Sequence, residues 1–413
     1  MLRSFQVSNH RSLAGAQELR AGRGNGVVAV PVTAVHGAAA AGKTNLVDAL
    51  AGMRAAVLES VSGWDPYAGP VRTPHRGFPD RPSEFVADFV AEGAPYTYGF
   101  RLAQAEVAAE WLYAHPRARK RIVFERNGDQ VRVGPMFEAA RYGVAAVAPL
   151  VRPNALLLSL AGQLYAEALA PAYRWFESML EVQYGPVAAE QVAHRLGAHL
   201  SKSPENAARL LVLLRASGLG IEDLLLAEPD PRYADHLREL DADIAATGAQ
   251  LDLCANSPGH AERLLREHGV TEVLLDRELT NLRAARDALY ARMVDRRGVG
   301  LSLVHAGVDA AFDIAEESTA TLSLLRLLPT VLDALDGGKV LVVDDIGTQL
   351  PVEETDRLIQ LFQNPQTNAR GAQLIFTTGD RAVIDRSNGR SPRTATAVWR
   401  IRRGDGVSEL TRV

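Results

Sequence analysis

The run Val35-His36-Gly37-Ala38-Ala39-Ala40-Ala41-Gly42-Lys43-Thr44 satisfies G-x-x-x-x-G-K-[ST] at every fixed position, and no other stretch constrains the fold as tightly. Its flanks fit the same pattern. Val27 to Val35 is apolar and β-rich, and from Lys43 onward Leu46, Leu50 and Met53 recur at helical spacing. The order strand, glycine loop, helix is therefore expected. In such an arrangement backbone N–H groups and the helix dipole face an anion, Lys43 reaches the β- and γ-phosphates, and the Thr44 hydroxyl holds Mg²⁺. A nucleoside triphosphate is the first ligand to consider, with Gly37, Ala40, Ala41, Gly42, Lys43, Thr44 and Asn45 as its expected contacts. The plain alternative is an alanine-rich strand-to-helix turn.

A chain of 413 residues can bury one large core or two modest ones. The formal net charge of -4 provides no global basic field to recruit nucleic acid or an anionic membrane, so any DNA contact needs a local patch. A single cysteine, Cys254, excludes an internal disulfide framework and a cysteine-cluster metal site. No apolar run is long enough to cross a bilayer, and Met1-Leu2-Arg3-Ser4-Phe5 is no secretion signal. The reading is a cytoplasmic protein without a membrane partner.

Character changes twice along the chain. Residues 1–150 combine the loop and its helix with alternating segments at Glu84–Val90, Tyr96–Leu102, Trp111–Tyr113 and Ile122–Phe124, which predict an antiparallel meander. Residues 151–300 turn to helical patterns rich in Leu, Ala, Arg and Glu and are expected to form a helical insertion. In residues 301–413 the β/α alternation returns: a helix through Leu324, Leu328, Val331 and Leu335, the strand Val340–Val343, a helix with Leu358, Ile359 and Phe362, and the strand Leu374–Thr377. One nucleotide-binding fold is thus split by an insertion.

A phosphate loop needs an acid on Mg²⁺ and a group that orients the attacking water. Val340–Val343 runs straight into Asp344-Asp345, where the first carboxylate would meet the metal shell with Thr44 and the second would face the γ-phosphate. A polar strand end is the bland account of that pair.

The loop in the form H-G-A-A-A-A-G-K-T-N-L-V-D-A-L, preceded by Val7-Ser8-Asn9-His10-Arg11-Ser12-Leu13, resembles the ABC-type AAA-family ATPases related to RecF, SMC and OLD proteins, many of which serve bacterial defence against phage. Tyr96-Thr97-Tyr98, Glu110-Trp111-Leu112-Tyr113, Leu213–Ile221, Glu317–Thr321, Lys339–Gln349 and Gln373–Thr378 fit the same group, so the resemblance spans nearly the whole chain. It implies an α/β P-loop NTPase head of ABC type, a mixed β-sheet with flanking helices plus an antiparallel β-meander, interrupted by the helical insertion. It also implies ATP and Mg²⁺ as cofactors and a homodimer in which two heads sandwich ATP. A signature segment of one head, here Glu317, Ser318 and Ala320, would then touch the γ-phosphate held by the other. The bland reading of that segment is a helix cap, and both can hold at once. Catalytic roles fall on Asp345 and Lys43, and metal binding on Thr44 and Asp344.

Four positions depart from the group's pattern. Asp345 stands where Glu is usual and is one methylene shorter, a setback of about 1 Å on a scale that can cost about a hundredfold in rate. Gly379 replaces the switch histidine after Thr377-Thr378, Ala320 replaces the signature glycine, and Pro351 stands where a His is usual. The binding apparatus is intact and the hydrolytic one weakened, which implies a nucleotide-gated switch with slow turnover. A non-hydrolysing scaffold with ATP as glue is the competing reading, separable by the turnover of Asp345→Glu. A DNA clamp is the third, and sustained heptads are missing. The clusters His115–Arg121 and Arg400–Arg403 are candidate nucleic-acid contacts, although short basic runs on turns and edge strands are usually solvated. The short stretch after the final strand leaves no room for a C-terminal nuclease, so an effector is expected to be another chain.

Overall fold

The computed structural model describes residues 1–23, 28–135, 144–164, 166–185, 189–202, 204–226, 231–297, 301–308, 310–387 and 396–413. They form two compact units, residues 1–185 with 333–413, and residues 186–332. These boundaries fall later than the expected 151 and 301. The helix Leu157–Gln163, whose Leu157 and Leu158 are fully buried, belongs to the first unit's core.

In the first unit, β1 (Leu2–Ser8) pairs antiparallel with β2 (Gln17–Arg20), and the two-residue strands β3 (Gly22–Arg23) and β4 (Val28–Ala29) pair with each other. The strand expected over Val27–Val35 is shorter: β5 spans Val32–His36, after Pro31, which has no N–H to give a ladder. Val27 lies outside the described residues. The meander is present as β6 (Ser83–Ala91), β7 (Ala94–Leu102), β8 (Val107–Ala114), β9 (Arg121–Asn127) and β10 (Gln130–Val133). With β1 and β2 it makes a seven-stranded antiparallel sheet in the order β10-β9-β8-β7-β6-β1-β2. β6 alternates buried and half-buried at every residue, as a sheet with one covered face requires.

The second sheet of this unit begins with β11 (Leu180–Gln183). In the other unit, β12 (Ile221–Leu226), β13 (Leu301–His305) and β14 (Ala311–Asp313) form a small antiparallel sheet beside the helices Ala189–Lys202, Pro204–Ala216, Pro231–Asn256, Pro258–His268 and Glu272–Arg297. A short strand, β12, thus lies among the helices of the expected helical insertion. Runs such as Leu224-Leu225-Leu226 read equally as helix or strand by composition, and pairing across the intervening helices decided it.

Back in the first unit, β15 (Val340–Val343), β16 (Gln373–Thr378), β17 (Thr396–Gly404) and β18 (Val407–Arg412) complete a six-stranded sheet in the order β11-β15-β16-β5-β17-β18. The first five strands are parallel and β18 is antiparallel. All residues of β15 and β16 are buried, as expected for strands covered on both faces. Helix Lys43–Glu59 directs Leu46, Leu50 and Met53 into a core shared with the antiparallel sheet. An aromatic cluster anchors that core, with Phe89 stacked on Trp175 at 4.3 Å and Phe176 set edge-on to both. Gln373 joins the two sheets, because its carboxamide oxygen accepts from Leu2 N at 2.6 Å and its NH₂ donates to Leu2 O at 3.0 Å.

Candidate functional site

Strand order explains why the phosphate loop and the two aspartates come together. β5 lies between β16 and β17, with β15 next beyond β16, so the carboxyl ends of β5, β15 and β16 open at one sheet edge. In an open parallel sheet that edge is where ligands bind.

The loop leaves β5 at His36 and enters the helix at Lys43. Gly37 is required sterically, since a Cβ there would lie 2.6 Å from Ile401 O on β17. Gly42 has φ 105, a backbone conformation that L side chains rarely adopt. Lys43, only 8% exposed, folds over the loop and donates from Nζ to Gly37 O at 2.9 Å and Ala38 O at 3.1 Å. The ammonium thus sits on the loop. No helix residue of the first turn is acidic, so the N–H groups of that turn face no fixed negative charge of their own helix.

Asp344 follows β15 directly. Its Oδ2 accepts from Thr44 Oγ1 at 2.7 Å, across 300 residues of sequence, and its Oδ1 accepts from Thr377 Oγ1 at 2.6 Å. Thr377 in turn accepts from Asp345 N at 2.7 Å, so one hydroxyl bridges both aspartates. Asp345 has φ 49 at the start of the short helix Ile346–Gln349. Gly379 sits beside the loop: a Cβ there would be 3.7 Å from Gly37 O and 3.8 Å from Lys43 Nζ. Pro351 precedes the helix Val352–Gln363.

Asn45 is turned to a different task from the rest of the loop. Its Nδ2 donates to Ser12 Oγ at 2.6 Å, bracing the first helical turn against the N-terminal segment. That segment is further tied by Asp48, which accepts from His10 at 2.7 Å and from Arg11. Burial works against ionisation of Asp48, but the His10 hydrogen bond and the Arg11 charge outweigh it and hold the carboxyl below its ordinary value. Near the loop, burial and then the charges of Arg400, Arg381 and Lys43 hold the His36 imidazole below its ordinary value, with Asp380 opposing.

Glu317, Ser318 and Ala320 lie in the other unit. Glu317 Oε1 is 2.6 Å from His305 Nε2, and Ser318 Oγ accepts from Thr321 N at 3.1 Å, the helix cap that its position suggests. Ala320 is half-buried in the first turn of the helix Thr319–Gly337. Motif reading misses Ser408 on β18 and the roles of Ser12 and Thr377. Ser12 and Thr377 stand inside stretches that carry the resemblance, whereas nothing near Ser408 signals it.

Among the described residues, no group of three or more His, Cys, Asp or Glu stands together as a metal cluster, and no helix is long and apolar enough to cross a membrane. Thr44 and Asp344 nevertheless set two hard oxygen donors side by side. That suits Mg²⁺, which is held by one or two protein oxygens together with phosphate and water.

A glycine loop after a buried parallel strand, closed by a hydroxyl–aspartate contact to a second strand and backed by an antiparallel sheet, defines a P-loop NTPase head of the ABC/AAA type. The chain belongs to the family described as "AAA domain, putative AbiEii toxin, Type IV TA system", whose pattern matches residues 32–385. No curated protein matches it. Similar solved structures include the Smc head domain with an extended coiled coil bound to the C-terminal domain of ScpA, derived from Pyrococcus furiosus, at 11% identity over 100% of this chain and 96% of that one, with a TM-score of 0.42. The SMC head domain from Thermotoga maritima is similar at 12% identity over 100% and 98%, also with a TM-score of 0.42.

Proposed function

We propose that this protein is an ATP-binding ATPase of the OLD-like group that works as a nucleotide-gated dimeric switch with slow hydrolysis, in phage defence or related DNA surveillance. The observation that carries the reading is the 2.7 Å contact between Thr44 Oγ1 and Asp344 Oδ2, which joins the two halves of a nucleotide site from distant parts of the sequence. Lys43 supplies the cation for the β- and γ-phosphates, and the N–H groups at the helix start receive their oxygens. Bound Mg²⁺ would sit with Thr44 and Asp344 and neutralise phosphate charge. Asp345, held through its backbone to Thr377, orients the lytic water with a shorter arm than glutamate has. Glu317, Ser318 and Ala320 contact the nucleotide of a second copy. The family's description names a toxin of a Type IV TA system, which supports a defence setting, and a separate effector protein is the partner we propose. The exposed basic turn at Arg117–Arg121, between β8 and β9, is where nucleic acid would touch.

One observation favours the alternative, a non-hydrolysing ATP-bound scaffold: the position beside Lys43 Nζ is Gly379, with no side chain to sense a γ-phosphate. Nucleotide binding and turnover separate the two. Lys43→Ala is expected to abolish ATP binding, and retained binding refutes the loop assignment. Wild-type turnover is expected below about 1 s⁻¹. A rate at or above that level removes the attenuation, and an Asp345→Glu variant that stays inert favours the scaffold.

A further inference from the structure

Ser408, fully buried at the start of β18, makes contacts that reach the phosphate loop from the far end of the chain. Its Oγ lies 2.8 Å from Ala41 O and 2.8 Å from Ser12 Oγ, while Asn45 Nδ2 lies 2.6 Å from Ser12 Oγ. A carbonyl oxygen can only accept and a carboxamide NH₂ can only donate. The direction of every bond follows: Asn45 donates to Ser12, Ser12 to Ser408, and Ser408 to Ala41. The chain of hydroxyls therefore starts and finishes on the loop itself, enclosing Gly42, Lys43 and Thr44. Ser408 N also donates to Ser12 O at 2.8 Å, which locks the two serine-bearing segments together.

The tie acts on one peptide group. Because a trans amide is planar, its C=O and N–H point in opposite directions. Holding Ala41 C=O against Ser408 turns Gly42 N–H to the other side of the loop. The fit leaves no slack, since a Cβ on Gly42 would meet Ser408 Oγ at 2.4 Å and Ser12 Oγ at 2.9 Å.

We infer that Ser408 and Ser12 are positioning residues for nucleotide binding: the C-terminal hairpin β17–β18 orients the Ala41–Gly42 peptide through this hydroxyl chain, so that the loop is set for a phosphate before one arrives. The inference rests on the nucleotide reading above and concerns residues that no phosphate-loop motif includes. Ser408→Ala leaves a buried carbonyl without its donor, whereas Ser12→Ala leaves the Ser408–Ala41 bond in place.

Titration of the full-length protein with a fluorescent ATP analogue and Mg²⁺, alongside thermal melting, tests it. Ser408→Ala is expected to weaken binding about five- to tenfold, the effect of one buried hydrogen bond. Ser12→Ala should weaken it less, and the double variant no more than Ser408→Ala, because the two act through one chain. Unchanged affinity in a Ser408→Ala protein that merely melts lower assigns the serine to the fold alone and overturns the inference. Additive losses overturn it as well. If Ser408→Ala does not fold, Ser12→Ala alone decides, and wild-type affinity there sinks the proposal. Failure of the wild type to bind is a separate outcome, which removes the nucleotide reading and this inference with it.

Discussion

Ala40 holds φ 60 in the phosphate loop, exposed and without a glycine's freedom. Left-handed backbone costs an alanine roughly 1–2 kcal/mol, and a glycine gives back about 0.5–1 kcal/mol of that through its larger unfolded entropy. Ala40→Gly is therefore expected to stabilise the protein by about 0.5–1 kcal/mol in urea unfolding. A loss of stability would show that the Ala40 methyl has a packing role. The loop residues are legible in sequence because phosphate binding demands glycine, lysine and a hydroxyl at fixed spacing. Thr377 is a different case. Its single hydroxyl bridges Asp344 and Asp345 only because β16 lies beside β15, and no spacing along the chain encodes that.

At the level of elements, a buried acid on β8 organises a helix that local pattern does not connect to it. Glu110 is fully buried and accepts from Tyr98 OH at 2.9 Å, Leu157 N at 2.6 Å and Leu158 N at 2.9 Å, so it caps the helix Leu157–Gln163 from a neighbouring strand. Arg126 on β9 stands 3.6 Å from the same carboxylate and donates to Ala155 O, Arg152 O and Pro153 O, the carbonyls of the segment leading into that helix. Burial raises the Glu110 carboxyl above its ordinary value, against the opposing pull of Arg126 and the two backbone N–H groups. Removing one partner of such a pair leaves the other buried and unmatched. Glu110→Ala is expected to cost about 3–5 kcal/mol, seen as a lower urea midpoint with an unchanged slope. Adding Arg126→Met should recover part of that loss. A cost below about 1 kcal/mol would mean that water enters and replaces the carboxylate. Sequence alternation announces β8 but not that one of its inward positions is an acid with four partners.

Across the whole molecule, the first unit draws its parallel sheet from both ends of the chain. β5 has β16 on one side and β17 on the other, and both follow the residues of the second unit. A fragment ending at residue 332 leaves β5 without either neighbour and exposes its buried ladder groups. That fragment is expected to show no cooperative unfolding and no nucleotide binding, with tryptophan fluorescence in urea as the check. A folded fragment would mean that the antiparallel sheet and the helix Lys43–Glu59 suffice as a core. The sequence by itself determined the loop, the acid-ended strand, the meander and the interruption between them, because each is a local pattern of polarity, turn residues and repeat. Only the tertiary structure decided which distant groups touch: Thr44 with Asp344, Ser408 with Ala41, Glu110 with the helix at Leu157. Those contacts depend on strand order, register and the direction in which single hydroxyl and amide hydrogens can be given, and such properties appear only once the chain has closed on itself.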